Sequence, residues 1–223
     1  MRLVLLVFPT LLFAGCRSDP CLAPPQPVGP EEAATDASPW MDLLAAPGTS
    51  WIETSFGGEG EVTIDDDGLV LGFGSPLTGV HWIGAALPTT DYELEVTAAR
   101  LEGSDFFCGL TFPVNESHLT LILGGWGGSL TGLSSLNGMD AFENGTASYV
   151  NYETGRPYTA RVRVEGARVR TWLGVVDGEP LHDIDTSRRV PSLRVEVLAS
   201  RPLGITTYST RARIHRLLFR RIP

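Results

Sequence analysis

The chain has 223 residues, a formal charge of −9, and 43 % hydrophobic and 19 % charged residues, enough for one large domain and marginal for two. All 17 basic residues are arginine, and an acidic balance of this size argues against a nucleic-acid partner, because neutralising phosphates needs a basic surplus. The 25 glycines and 16 prolines favour many turns over long helices.

In chain order, the first feature is a leader. Arg2 supplies a short positive start, Leu3 to Phe13 is an apolar run too short to anchor in a bilayer, and Ala14-Gly15-Cys16 closes it. This resembles a bacterial lipoprotein signal, with Phe13 where leucine is usual. Acylation of Cys16 would tie the chain to a membrane surface; an ordinary secretory signal with nearby cleavage is the alternative. Both readings export the protein, and the lipid-anchored one places it at the bacterial cell envelope. Residues 17–39 then hold six prolines and little that could form a core, which predicts an extended, semi-rigid tether. In an oxidising compartment Cys21 could bridge Cys108, or Cys108 could be a small buried hydrophobe beside a free Cys21.

From residue 40 to 223 the dominant period is two. Met41 to Ala46 alone could make a helical turn. Strands are expected at 61–64 and 68–73, joined through Asp65-Asp66-Asp67-Gly68, where Asp-Gly suits a tight hairpin. Further strands follow at 80–86, at 91–98 (Tyr92, Leu94 and Val96 alternating with Glu93, Glu95 and Thr97), at 105–113 and at 117–124. Tyr158 to Val164 and Val169 to Val175 read as a hairpin turning at Glu165-Gly166-Ala167. The last strands are 193–197, 203–208 and 211–221. So many short strands without an amphipathic helix predict an all-β fold, a two-sheet antiparallel sandwich or jelly roll of the concanavalin A-like kind.

Charge is shared unevenly along the chain. Residues 1–155 carry 3 arginines against 20 acids, and residues 156–223 carry 14 arginines against 6 acids. If both segments supply strands to the same sheets, arginines and carboxylates should pair across neighbouring strands. An arginine-lined surface for an anionic ligand is the alternative.

The order of short phrases carries a resemblance. Asp67-Gly68-Leu69, Asp91-Tyr92-Glu93-Leu94-Glu95-Val96, Phe107-Cys108-Gly109-Leu110-Thr111-Phe112, Tyr158 to Val164, Leu203-Gly204-Ile205 and Leu217-Leu218-Phe219 together resemble the 3-keto-disaccharide hydrolase-like domains over roughly residues 50–222. That family's fold implies two curved sheets with carbohydrate on the concave one or at its rim. Its activity implies hydrolysis of a glycosidic bond in a sugar oxidised at C3. The match rests on spacing and strand order, so no catalytic set is carried over from it.

Candidate site residues therefore come from the residues themselves. Gly124-Gly125-Trp126-Gly127-Gly128 sets a tryptophan among four glycines, which allow close backbone approach or a sharp bend. Trp126 with Asp140, Glu143 and Asn144 offers a flat apolar face and planar polar groups for a sugar, or else plugs one end of the sandwich. Trp172, beside Arg168 and Arg170, could stack on a sugar if its sheet is concave. Glycosidases commonly need two carboxylates. Asp140 and Glu143 are the candidate acid and base, while Asp183 and Asp185 would project to one face of an extended segment. A structural calcium site or a turn cap explains either pair as well. With three cysteines, no CxxC and four scattered histidines, a zinc site is unexpected. Three functions remain in competition: a keto-sugar hydrolase, a non-catalytic binder of carbohydrate or protein at the cell surface, and a purely structural surface domain.

Overall fold

The structure is a computed structural model describing residues 38–45, 50–174 and 178–223. The leader, Cys16, Cys21 and the tether up to residue 37 lie outside the described residues.

Among the described residues fifteen strands follow one another: β1 (Met41–Asp42), β2 (Trp51–Glu53), β3 (Val62–Asp65), β4 (Gly68–Leu71), β5 (Leu77–Trp82), β6 (Tyr92–Gly103), β7 (Cys108–Val114), β8 (Ser117–Gly124), β9 (Leu130–Ser134), β10 (Ser148–Tyr149), β11 (Pro157–Glu165), β12 (Arg168–Leu173), β13 (His182–Asp185), β14 (Gly204–Tyr208) and β15 (Thr210–Arg221). An eight-stranded sheet has the order β13-β12-β11-β6-β15-β4-β3, with β1 added on β15; a seven-stranded sheet has the order β10-β9-β8-β7-β14-β5-β2. All pairings are antiparallel, so the architecture is the expected two-sheet jelly-roll sandwich.

The alternation in the sequence becomes the core directly. Tyr92, Leu94, Val96 and Ala98 of β6 point inward beside Ala160, Val162 and Val164 of β11, and Leu110 and Phe112 of β7 with Leu119 and Leu121 of β8 come from the other sheet. Each fully buried Leu, Val or Phe contributes about 1.5–3 kcal/mol relative to exposure. A one-residue slip would turn the same side chains to solvent, so register is strongly specified. Cys108 belongs to this core as a free thiol, and burial pushes its pKa up to about 12.

The outer face of the eight-stranded sheet answers the charge asymmetry. Acids from the first half of the chain lie on β6 between arginines from the second half. Arg161 meets Glu95 at 2.6 Å, and Glu93, only 1 % exposed, accepts from Arg163 at 2.7 Å and from Arg220 at 2.5 Å. Trp40 lies over the Arg161 and Arg220 guanidiniums, at 5.1 and 4.4 Å from its ring centre. Cross-strand pairing therefore accounts for this part of the basic segment.

Both expected hairpins form. Asp66-Asp67 turns β3 into β4 with Gly68 at φ 124, and Gly166-Ala167 turns β11 into β12. Two expectations are corrected. Met41 to Ala45 is not a helical turn, because Met41 and Asp42 pair with β15 and Leu43, its N–H on the Leu217 carbonyl, enters the core; Ala46 lies outside the described residues. Residues 193–197 are not a strand: Val195–Ser200 is a 3-10 helix lying against β5 and β14. Its apparent alternation is misleading, since Val195 is 75 % exposed and only Val197 and Ser200 of the helix are buried. Pro191 and Pro202 flank it and cannot donate to a ladder.

Candidate functional site

On the seven-stranded sheet, residues opposite in parity to the core are unusually small and polar. Thr111 and Thr120 share a hydroxyl hydrogen bond of 2.9 Å, Thr206 donates to the Gly109 carbonyl, and Ser134 pairs with Thr120 in the ladder. These hydroxyls are buried because the segment 186–203 crosses over them. It is stitched down by two backbone hydrogen bonds between Ser135 and Ser192, by Ser117 Oγ on the Pro191 carbonyl at 2.8 Å, and by Val190 N–H on Asn137 Oδ1 at 2.8 Å. Gly204 allows the close passage, since a Cβ there would meet the Ser200 carbonyl oxygen at 2.5 Å.

Beside the crossing segment the sheet face opens into a cleft of about 370 Å³, within the size range of small-molecule sites. Its aromatic wall is Phe106, Trp126 and Tyr208, with the Phe106 and Tyr208 ring centres 5.7 Å apart. Pro76, Leu77, Ile122 and Val197 add apolar surface, Thr120 and Ser134 line it with buried hydroxyls already bonded to Thr111 and Ser135, and Asp105, Arg194 and Glu196 are its charged groups.

Trp126 owes its place to the glycines around it. It has φ 48 and ψ 58, a left-handed conformation costly for a bulky side chain, and Gly124, Gly127 and Gly128 also have positive φ. Beneath this turn Arg100, 7 % exposed, donates from Nη2 to the carbonyls of Gly128 (2.7 Å), Asp105 (3.3 Å) and Gly124 (3.4 Å). A Cβ at Gly124 would stand 2.5 Å from that nitrogen. Burial shifts the Arg100 pKa downward, with Asp105 opposing the shift. The same guanidinium thus holds both ends of the turn and the backbone of Asp105. The Asp105 carboxylate accepts from its neighbour Phe106 N–H at 2.7 Å and, weakly, from Gly127 N–H at 3.3 Å. Across the cleft, Arg194 bonds Asp140 at 2.9 Å and Glu196 at 3.3 Å, and the hydrogen bond from Arg194 holds Glu196 below the usual carboxylate range.

The residues singled out in the sequence are dispersed. Trp126 lines the cleft. Asp140 stands behind it, engaged by Arg194 and accepting from Phe142 N–H, and Glu143 is exposed outside the lining. Asn144 is a buried staple: its amide donates to the Leu133 and Met139 carbonyls, and its oxygen accepts from Thr146 N–H and Oγ1. Trp172 and Arg170 are on the outer face of the other sheet. Trp172 is 9 % exposed with its indole N–H on the Gly178 carbonyl, and Arg170 pairs with Glu165. Asp183 and Asp185 do share one face of β13, where Arg168, Arg188 and Ser187 occupy them. Among the described residues no three His, Cys, Asp or Glu side chains form a group able to hold a metal.

Phe106, Tyr208, Asp105, Arg194 and Glu196 escaped the sequence reading. Parity held a signal for one of them: Tyr208 is out of phase with Leu203 and Ile205, and an outward aromatic at the end of an otherwise core-directed strand is informative; Phe106 is in phase with Cys108 and Leu110, so alternation does not mark it.

No family model matches the chain, and no curated protein matches it. Among solved structures, the chain is similar to Crh5 transglycosylase, seen apo and in complex with NAG, at TM-score 0.55 and 10 % identity over 82 % of this chain and 83 % of that one. Two weaker likenesses are to the carbohydrate binding module CBM66 from Bacillus subtilis (TM-score 0.46, 15 % identity, 76 % of this chain and 94 % of that one) and a beta-1,3-glucanase from Mycobacterium marinum (TM-score 0.44, 12 %, 80 % and 93 %). At such identities the likeness is one of fold, and the fold is the jelly-roll sandwich.

Proposed function

We propose that the protein is a carbohydrate-binding module of the bacterial cell envelope, with the cleft at Trp126 as its site. The observation that carries this reading is the aromatic wall of Phe106, Trp126 and Tyr208 set beside the part-exposed carboxylate of Asp105. Pyranose C–H faces stack on aromatic rings, and sugar hydroxyls need such acceptors. Carbohydrate is also named for the neighbours of this fold: one is a transglycosylase with NAG bound and one a carbohydrate binding module. Export and a lipid on Cys16 rest on the leader. Ser38 and Trp40, next to the tether, lie against the outer face of the eight-stranded sheet, away from the cleft. Calorimetric titration with cell-wall and storage oligosaccharides tests the site. Trp126→Ala weakens binding about tenfold or more, the loss of one stacking contact worth roughly 1–2 kcal/mol; equal binding by the variant refutes the assignment. Cys16→Ser releases the protein from membranes, and retention there counts against acylation.

Hydrolysis of a 3-keto-disaccharide is the second reading, favoured by the presence of two carboxylates, Asp105 and Glu196, in the cleft wall. A general acid needs a raised pKa, and Glu196 is held the other way by Arg194. Binding is therefore the reading the geometry supports better. Release of reducing sugar from a 3-keto-glucoside, abolished by Asp105→Asn, would establish hydrolysis; glycan binding without release would leave the module non-catalytic.

A further inference from the structure

We infer that the cleft selects an amine-bearing sugar, a hexosamine with a free ammonium group, and that Asp105 is the selecting residue. This rests on the carbohydrate-binding reading of the same cleft.

The argument begins with charge. Of the three ionised groups in the lining, Arg194 is already neutralised, because Asp140 and Glu196 both engage its guanidinium. Among the described residues no arginine side chain pairs with the Asp105 carboxylate. Arg100 lies below it, but Nη2 of that guanidinium is committed to backbone carbonyls, including that of Asp105 itself. The cleft is thus net negative in a chain of formal charge −9, and a uronic or sulfated sugar meets repulsion there.

Hydrogen-bonding capacity points the same way. One Asp105 oxygen is held by Phe106 N–H at 2.7 Å, while the other has only the 3.3 Å contact with Gly127 N–H. A carboxylate has about four lone-pair sites, so Asp105 keeps acceptor capacity beside the aromatic wall. That wall supplies the remaining element. The faces of Phe106, Trp126 and Tyr208 carry partial negative charge and attract a cation as well as C–H groups. A carboxylate among aromatic faces recognises an ammonium; a neutral hydroxyl in the same place gains only a hydrogen bond.

The test compares three ligands of equal length on the full chain by calorimetry at about pH 6, where an amine keeps its proton. These are a β-linked glucosamine oligomer, its N-acetylated counterpart and a glucose oligomer. The free-amine oligomer is expected to bind about tenfold or more tighter than the other two, with the advantage shrinking as salt rises from about 0.05 to 0.5 M. Asp105→Asn, which retains the acceptor for Phe106 N–H, is expected to collapse the amine-to-acetyl ratio towards one. Glu153→Gln, which removes a negative charge from an exposed pair with Arg156, is expected to leave that ratio intact and so separates the local carboxylate from overall charge. Equal affinity for all three oligomers, or an undiminished ratio in Asp105→Asn, overturns the amine selectivity while leaving carbohydrate binding standing. Binding of none of them or of any other oligosaccharide overturns both.

Discussion

The two outer faces of the sandwich divide the chemistry between them. On the eight-stranded sheet the central charges of β6, β11 and β12 have counter-charges, and Trp40 lies over two of the arginines, while Arg211, Arg216 and Arg221 of β15 form no ion pair among the described residues. On the seven-stranded sheet the outward residues are hydroxyls, glycines and aromatics, with Asp105 free of any arginine side-chain partner among the described residues. The face richest in charge spends much of it internally, because the carboxylates of β6 and the arginines beside them satisfy one another. The face poorer in charge keeps a cleft. A count of arginines would have looked for the site on the wrong sheet.

The largest effect should come from breaking the ion-paired face. Glu93→Ala leaves Arg163 and Arg220 without their shared, buried carboxylate, and removing one member of such a set costs about 3 kcal/mol. Urea unfolding measures the loss, and oligosaccharide affinity should be unchanged because the cleft is on the opposite face. A fall in affinity matching the fall in stability would mean that the two faces are not independent.

The cleft should respond in the opposite sense. Trp126→Gly relieves a bulky residue at φ 48, so stability is expected to rise by about 1 kcal/mol while binding is lost. Thermal melts and calorimetry on the same sample decide this. A destabilised Trp126→Gly would show that the indole supports the fold more than it serves a ligand.

The smallest expected effect is a pH dependence. His182 is buried, with Nε2 on the Thr146 carbonyl and Nδ1 on the Thr171 hydroxyl, an arrangement that suits a neutral ring donating from Nε2. Burial pushes its pKa below the ordinary histidine value, the bond to Thr146 opposing in part, and burial moves His81 and His118 in the same direction. The unfolded chain therefore binds more protons below about pH 6.5, and stability falls as pH drops through that value while staying level above it. His182→Gln should make the slope shallower, with the rest owed to the other two histidines. An unchanged slope would remove His182 from the account.

Much of the fold was legible because period-two alternation is a local property. Tyr92, Leu94 and Val96 announce an inward face without reference to any other strand, and Gly166 and Gly68 announce their turns. Alternation also misled at Val195 and Val197, where the flanking prolines were the better guide. The site was legible only at Trp126, whose glycines are its immediate neighbours. Asp105 with Phe106, Arg194 with Glu196, and Tyr208 come from three separate stretches of the chain, and β7, β14 and the crossing segment bring them together.

The amino-acid sequence by itself determined the class of fold, the positions of the hairpins and the pairing of acids with arginines, since each follows from residue period, turn chemistry or charge complementarity. Tertiary structure alone decided which sheet holds the cleft and which carboxylate lies in it. Strand order and the path of residues 186–203 over one sheet are long-range choices, settled by burying the inner faces together rather than by any local pattern.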